Sequence, residues 1–135
     1  MITARKIRQA LREVIINSAI ISKDDMAYEG RTFKPDGKTL WLRETYMPVN
    51  ETPAADNTPQ KSVIMRYDVF VPAASGTEIV EDFAESFKAL FDPEKNPILY
   101  DDIQIVISTA ESLNARPEPK WYSIPVQIKL NAWQI

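Results

Sequence analysis

The acidic residues are the first place to look for chemistry. Asp24, Asp25, Glu29 and Asp36 crowd one segment, and Asp101 and Asp102 precede an alternating apolar run. Oxygen-rich loops of this kind can hold Mg²⁺ or Ca²⁺, but the spacing is not that of an EF-hand loop. Neighbouring aspartates commonly cap turns or start strands, so these positions predict turns and no metal site. A serine or threonine nucleophile needs a base. The chain has 0 His and 0 Cys. That removes the commonest proton shuttle, the commonest metal ligand and the thiol nucleophile. The stretch AASGT at 73–77 has neither the Gly-x-Ser-x-Gly spacing of a hydrolase elbow nor the Gly-x-x-x-x-Gly-Lys spacing of a phosphate loop. No catalytic residue and no cofactor is expected.

What remains is chemistry of contact. Arg5, Arg8 and Arg12, with Lys6 beside them, gather in one sector of a helix. That sector is a solvated face, a contact for phosphates, or a contact for an acidic protein. Arg66 and Asp68 sit on the polar side of an otherwise apolar strand. They pair with a neighbouring copy or within their own sheet face. Trp121 and Trp133 occupy the phase opposite to Tyr122, Ile124 and Val126, so both indoles fall on the second face of a sheet. There they are interface residues, or a helix or loop covers them.

The elements that position these residues follow from periodicity. Ile7, Leu11, Val14, Ile15 and Ser18 mark one face of a first helix from about Thr3 to Ala19. Its interrupted apolar residues read as a mature helix and not a signal peptide. A short strand near Met26–Glu29 follows, then a Pro35–Lys38 turn and a strand from Thr39 to Met47. Pro48–Lys61 reads as a long polar loop. Val63, Met65, Tyr67, Val69 and Val71 alternate along the next strand, which Pro72 ends. Ser75 and Glu78 fit a capping box around Gly76, opening a helix from about Thr77 to Phe91 with Ile79, Phe83, Phe87, Leu90 and Phe91 as its stripe. Ile103, Ile105 and Ile107 alternate in one late strand, and Tyr122 to Ala132 alternate in the last. Pro125 within that last run points to an edge strand or a bulge.

The chain of 135 residues, 44% hydrophobic and 26% charged, is expected to form a single domain over 1–135. The fold class expected is α+β, an antiparallel or mixed sheet with two main helices on one face. No apolar run approaches the roughly 18–20 residues of a membrane helix. A net charge of -3 argues against coating nucleic acid, and no sequence-specific nucleic-acid binding is expected. The lack of Cys fits a cytoplasmic chain.

Arg66 to Val71, then Pro72, Gly76 and the following helix, resemble a signature of the tail terminator proteins of lambda-like and other long-tailed phages. YEG at Tyr28–Gly30, FKP at Phe33–Pro35, LWLRETYMP at Leu40–Pro48 and WYSIPVQI at Trp121–Ile128 are similar to further pieces of that family, in order along nearly the whole chain. AASG is less Gly-rich than the family's turn, and Pro48–Lys61 lacks its Gly cluster. The resemblance implies a structural protein that forms a hexameric ring on the finished tail tube, ends its polymerisation and offers a surface to the head. The partners it implies are further copies of this chain, a tail tube protein and a head-completion or connector protein, in the host bacterial cytoplasm and then the virion tail. Arg66, Asp68, Trp121, Trp133, Arg5, Arg8 and Arg12 are the candidate protomer or tube contacts, with Pro72, Ser75, Gly76 and Glu78 as turn and cap. The rivals are another phage neck or connector protein, a cytoplasmic ligand-binding or enzymatic α+β domain, and a nucleic-acid binder using the first helix.

Overall fold

The computed structural model describes residues 1–53, 59–95 and 97–135. Helix α1 spans Ala4–Ser18, and α2 spans Glu78–Ala89. Seven strands form one sheet: β1 (Met26–Ala27), β2 (Trp41–Pro53), β3 (Pro59–Pro72), β4 (Ile98–Tyr100), β5 (Ile103–Ser112), β6 (Arg116–Pro117) and β7 (Trp121–Gln134). Their order is β1-β2-β3-β7-β5-β4, with β6 added on β7. Only the β1–β2 pair is parallel. The fold is the expected α+β class with a mixed sheet.

α1 starts where the hydroxyl of Thr3 accepts from the Lys6 N–H at 3.2 Å, an N-cap that satisfies one orphan donor. It buries Ile7, Ala10, Leu11 and Ile15. Ser18, expected on that face, is exposed, and its hydroxyl donates to the Ile15 carbonyl at 2.6 Å. α2 lies over β3, β5 and β7 and buries Val80, Ala84 and Phe87, with Phe91 just past its end. Ile79, expected on the buried stripe, is 57% exposed. The stripe runs through positions 80, 84, 87 and 91, and Ile79 falls one step, about 100°, to its side. The alternating strand residues meet the helices in one core: Val63, Met65, Tyr67, Val69 and Val71 from β3, Ile103 and Ile105 from β5, and Val126, Ile128 and Leu130 from β7.

Two expectations about the strands differ from the structure. Pro48–Lys61 is not a loop throughout. β2 and β3 pair from Asn50↔Ser62 out to Pro53↔Pro59, beyond a register shift after Pro48. Residues 54–58 of that stretch lie outside the described residues. β7 is not an edge strand, because it pairs with β3 on one side and β5 on the other. Pro125 is tolerated there because its carbonyl accepts from the Leu113 N–H at 2.8 Å. Its missing N–H therefore faces the same side, past the last β5–β7 pair at Ser112↔Val126. β1 covers β2 only at Leu42 and Arg43. The next outward N–H, that of Tyr46, donates to the Glu29 carboxylate, and the position after it is Pro48, which has no N–H.

The strand-turn-helix joint also differs from expectation. Ser75 and Glu78 form no capping box. Ser75 ends a 3₁₀ turn over Ala73–Ser75, the helix N-cap is Thr77, and no side chain caps the helix start. A box needs its serine immediately before the first helical residue, and α2 begins three residues later. Glu78 and Glu81 lie in the first turn, where the helix dipole favours negative charge. Pro72 pairs with Trp121 at the end of β3, and the Ala73 N–H donates to the Lys120 carbonyl at 3.0 Å. Gly76 has φ 78 and ψ -179, a region essentially closed to other residues. An added Cβ there meets nothing within 4 Å, so the cost of substitution is backbone strain alone. Gly76→Val is expected to lower stability by about 1–3 kcal/mol. An unchanged urea midpoint would refute this.

Candidate functional site

The sheet has two faces, and the described helices cover one of them. The outer face begins with an aromatic cluster. Trp41 on β2 stacks on Phe70 of β3 with ring centroids 4.1 Å apart, Trp121 of β7 meets Trp41 edge-on at 5.6 Å, and Phe33 leans on Trp41 at 5.0 Å. Cross-strand register brings them together, since Trp41 faces Phe70 and Pro72 faces Trp121. Trp41 and Phe70 are buried, and Trp121 is half-buried. The Trp41 indole N–H is buried without a partner.

Next to this cluster lies a charged triad. Arg43 and Asp68 are cross-strand partners. Arg43 Nη2 reaches Asp68 Oδ2 at 3.0 Å, and Arg66 Nε donates to Asp68 Oδ1 at 2.9 Å. The Asp68 side chain is only 3% exposed, whereas that of Arg43 is 51% exposed. The Arg43 guanidinium also lies 5.0 Å from the Phe70 ring centroid. Arg66 and Asp68 thus pair with each other on their own sheet face. Trp133 lies on the same face at the far end of β7, half-buried, in register with Gln60 and Gln104.

The basic sector of α1 is divided by the fold. Arg5 is exposed. Arg8 reaches Glu29 at 3.6 Å and lies 4.9 Å from the Tyr46 ring centroid. Arg12 turns inward to the carboxylate of Glu44, with Nε donating to Oε2 at 3.0 Å and Nη2 to Oε1 at 2.5 Å. The Glu44 side chain is 0% exposed. The Tyr28 ring lies 4.1 Å from the Arg12 guanidinium carbon. Arg12 therefore ties α1 to β2. Sequence reasoning missed Glu44, although the alternation Leu40, Leu42, Glu44, Tyr46 puts that carboxylate in the inward phase. An open groove of about 500 Å³ lies beside it, between α1 and residues 23–32, lined by Glu13, Ile16, Lys23, Asp24 and Tyr28 among others. It mixes both charges.

A second charged knot lies at the β4–β5 turn. Asp102 binds Lys6 Nζ at 2.5 Å, the amino group of Met1 at 2.6 Å and Gln134 Nε2 at 3.0 Å. The hydrogen bond from Lys6, and then that from the amino terminus, lower the Asp102 carboxyl from 3.8 to about 2. A carboxylate with a depressed native pKa adds stability above its unfolded value, and that stability is lost as pH falls through the native one. Asp102→Asn is therefore expected to lower the melting temperature at pH 7, only slightly because the side chain is a third exposed and screened, and to do so progressively less as pH falls to 2 and below. Equal shifts at both pH values would contradict this. Among the described residues, no group of three or more Asp, Glu, His or Cys could hold a metal ion, and no helix is long and apolar enough to cross a membrane.

A family model described as phage tail terminator protein matches residues 6–130. No curated protein matches. Solved structures match in 12 chains. One of them, whose name states no activity, is similar over 100% of this chain and 98% of its own, at 18% identity and a TM-score of 0.75. At that identity the likeness is one of fold.

Proposed function

This chain belongs to the phage tail terminator family, a family of structural tail proteins, and on that premise we propose that it is the ring-forming protein that caps a tail tube. Copies of the chain form a closed ring of six at the end of the finished tube. The ring ends further polymerisation by the tube protein and offers its other side to a head-completion or connector protein. The protein acts by contact and carries out no catalysis. It assembles in the host cytoplasm and remains in the virion tail.

The observation that carries this reading is the extent of the family match. It covers residues 6–130, so it takes in both helices and nearly the whole sheet. The molecule's form is compatible with it. A ring needs two different faces on each subunit, because a head-to-tail contact that closes is heterologous. Here one side is a helical layer and the other a sheet face that no described helix covers. Arg66, Asp68, Trp121 and Trp133 fall on that sheet face, and Arg5 is exposed on the helical side. Arg8 and Arg12 would contribute through the shape they hold.

The test is tube growth. A polymerising tail tube protein is imaged by negative stain with and without this chain, and its length distribution is measured. Six-fold rings at tube ends with arrested growth are expected. Tubes that elongate unchanged, with bare ends, would remove the reading.

A further inference from the structure

The two sides of the molecule differ in charge as well as in shape. The outward face of α2 carries Glu78, Glu81, Asp82 and Glu85, all exposed. Only Glu85 has an ion-pair partner among the described residues, Lys88 at 2.9 Å. Ile79 lies at one edge of this acidic face, between Asp82 and Phe83 around the helix, and is 57% exposed. An apolar side chain beside acid has the form of an interface anchor with a polar flank.

The outer sheet face is the counterpart. One end of it is aromatic, its middle carries the Arg43–Asp68–Arg66 triad, and no described helix covers it. Basic residues outnumber acidic ones on it. Arg43 and Arg66 flank the buried Asp68. Arg116 pairs in register with Ser123, which puts it on this face, where it is exposed and without an ion-pair partner among the described residues. Lys129 lies on the same face, with Glu111 3.9 Å away. The dimensions agree. A helix of 12 residues is about 18 Å long. The four central strands β2, β3, β7 and β5 span about 14 Å between outer axes.

We propose that the acidic outer face of α2 in one copy docks on the outer sheet face of the next, where basic residues are in excess. Ile79 would meet the half-buried Trp121. Because α2 packs on the inner side of the same sheet, the two surfaces point in opposite directions. The contact is therefore head-to-tail, which makes rings where the rotation closes. The proposal rests on the ring reading above and assigns the surfaces that would build it. The occupant is a second copy of this chain because each face supplies the charge the other lacks.

Charge reversal tests it. One variant carries Glu81→Arg and Asp82→Arg, and another carries Arg116→Glu and Lys129→Glu. None of these side chains holds a buried partner, and near-UV circular dichroism checks that each variant is folded. Mass is followed by sedimentation velocity across a concentration and salt series. The wild type is expected to associate, less so at high salt. Each variant alone should need a concentration at least about tenfold higher to associate, since like charges at an interface cost several kcal/mol. An equimolar mixture of the two should recover association, because each then offers the other matching faces. Variants that associate as the wild type does, or a mixture that stays apart, would overturn this contact and leave tube capping standing. A wild type that is monomeric at every concentration would overturn the contact in solution, and tube imaging then decides separately on the proposed function.

Discussion

Arg12→Met is expected to destabilise the protein by about 3–5 kcal/mol, because it strands a buried carboxylate. Glu44 has no exposure, and both its oxygens are occupied by the Arg12 guanidinium. Without that partner the carboxylate is a charge out of water with nothing to compensate it. A domain of this size has only about 5–15 kcal/mol in total, so the variant should be close to unfolding at moderate temperature. Arg12→Lys should not rescue it fully, since an ammonium cannot reproduce the two-pronged fit or the stack on Tyr28. The double variant Arg12→Met with Glu44→Met should recover most of the loss, because replacing both members of a buried pair with apolar residues is often neutral. Urea unfolding of the three variants checks this. If Arg12→Met alone shifted the midpoint no more than a surface substitution does, α1 would not be held to β2 as described.

Phe87→Ala should cost a similar amount, about 3–5 kcal/mol, by opening a cavity under α2. Phe87 is wholly buried, with ring centroids 5.1 Å from Tyr67 and 5.5 Å from Phe91. These three rings fasten α2 to the sheet, so the loss should also free the acidic face of that helix and abolish head-to-tail association. Tyr67→Phe at the same spot should do the opposite. The Tyr67 hydroxyl is buried without a partner, and burial holds its phenol well above the usual range. Removing an unsatisfied hydroxyl while keeping the ring should raise stability by about 1 kcal/mol. Thermal melts of both variants give the comparison. A Phe87→Ala protein that melts as the wild type does, or a Tyr67→Phe protein that loses more than it gains, would show that the cluster is not packed in this way.

The separation between what was legible and what was not runs along one physical line. Local period is written in the chain. Legible from residue order alone were the two helices, the inward phase of Val63 to Val71, the alternation of Ile103 to Ile107 and of Tyr122 to Ala132, and the need for Gly76 at the turn. Each depends on a few neighbouring residues and on backbone sterics alone. The order of pieces along the chain was enough to suggest the family. The tertiary structure decided what lies across from each residue. Alternation says that a strand has two faces, but not which neighbours stand beside it, and so it could not place Pro125 in a central strand whose partner ends where the N–H is missing. Nor could it show that Asp68 and Phe70, both on the polar side of β3, are buried by Arg43 and Trp41 from β2 and by Trp121 from β7 along with Arg66 of their own strand, or that Arg12 leaves the solvated sector for Glu44. The paired strands beyond Pro48 were hidden for the same reason, because a polar, proline-containing segment becomes a strand only when an adjacent one supplies its hydrogen bonds.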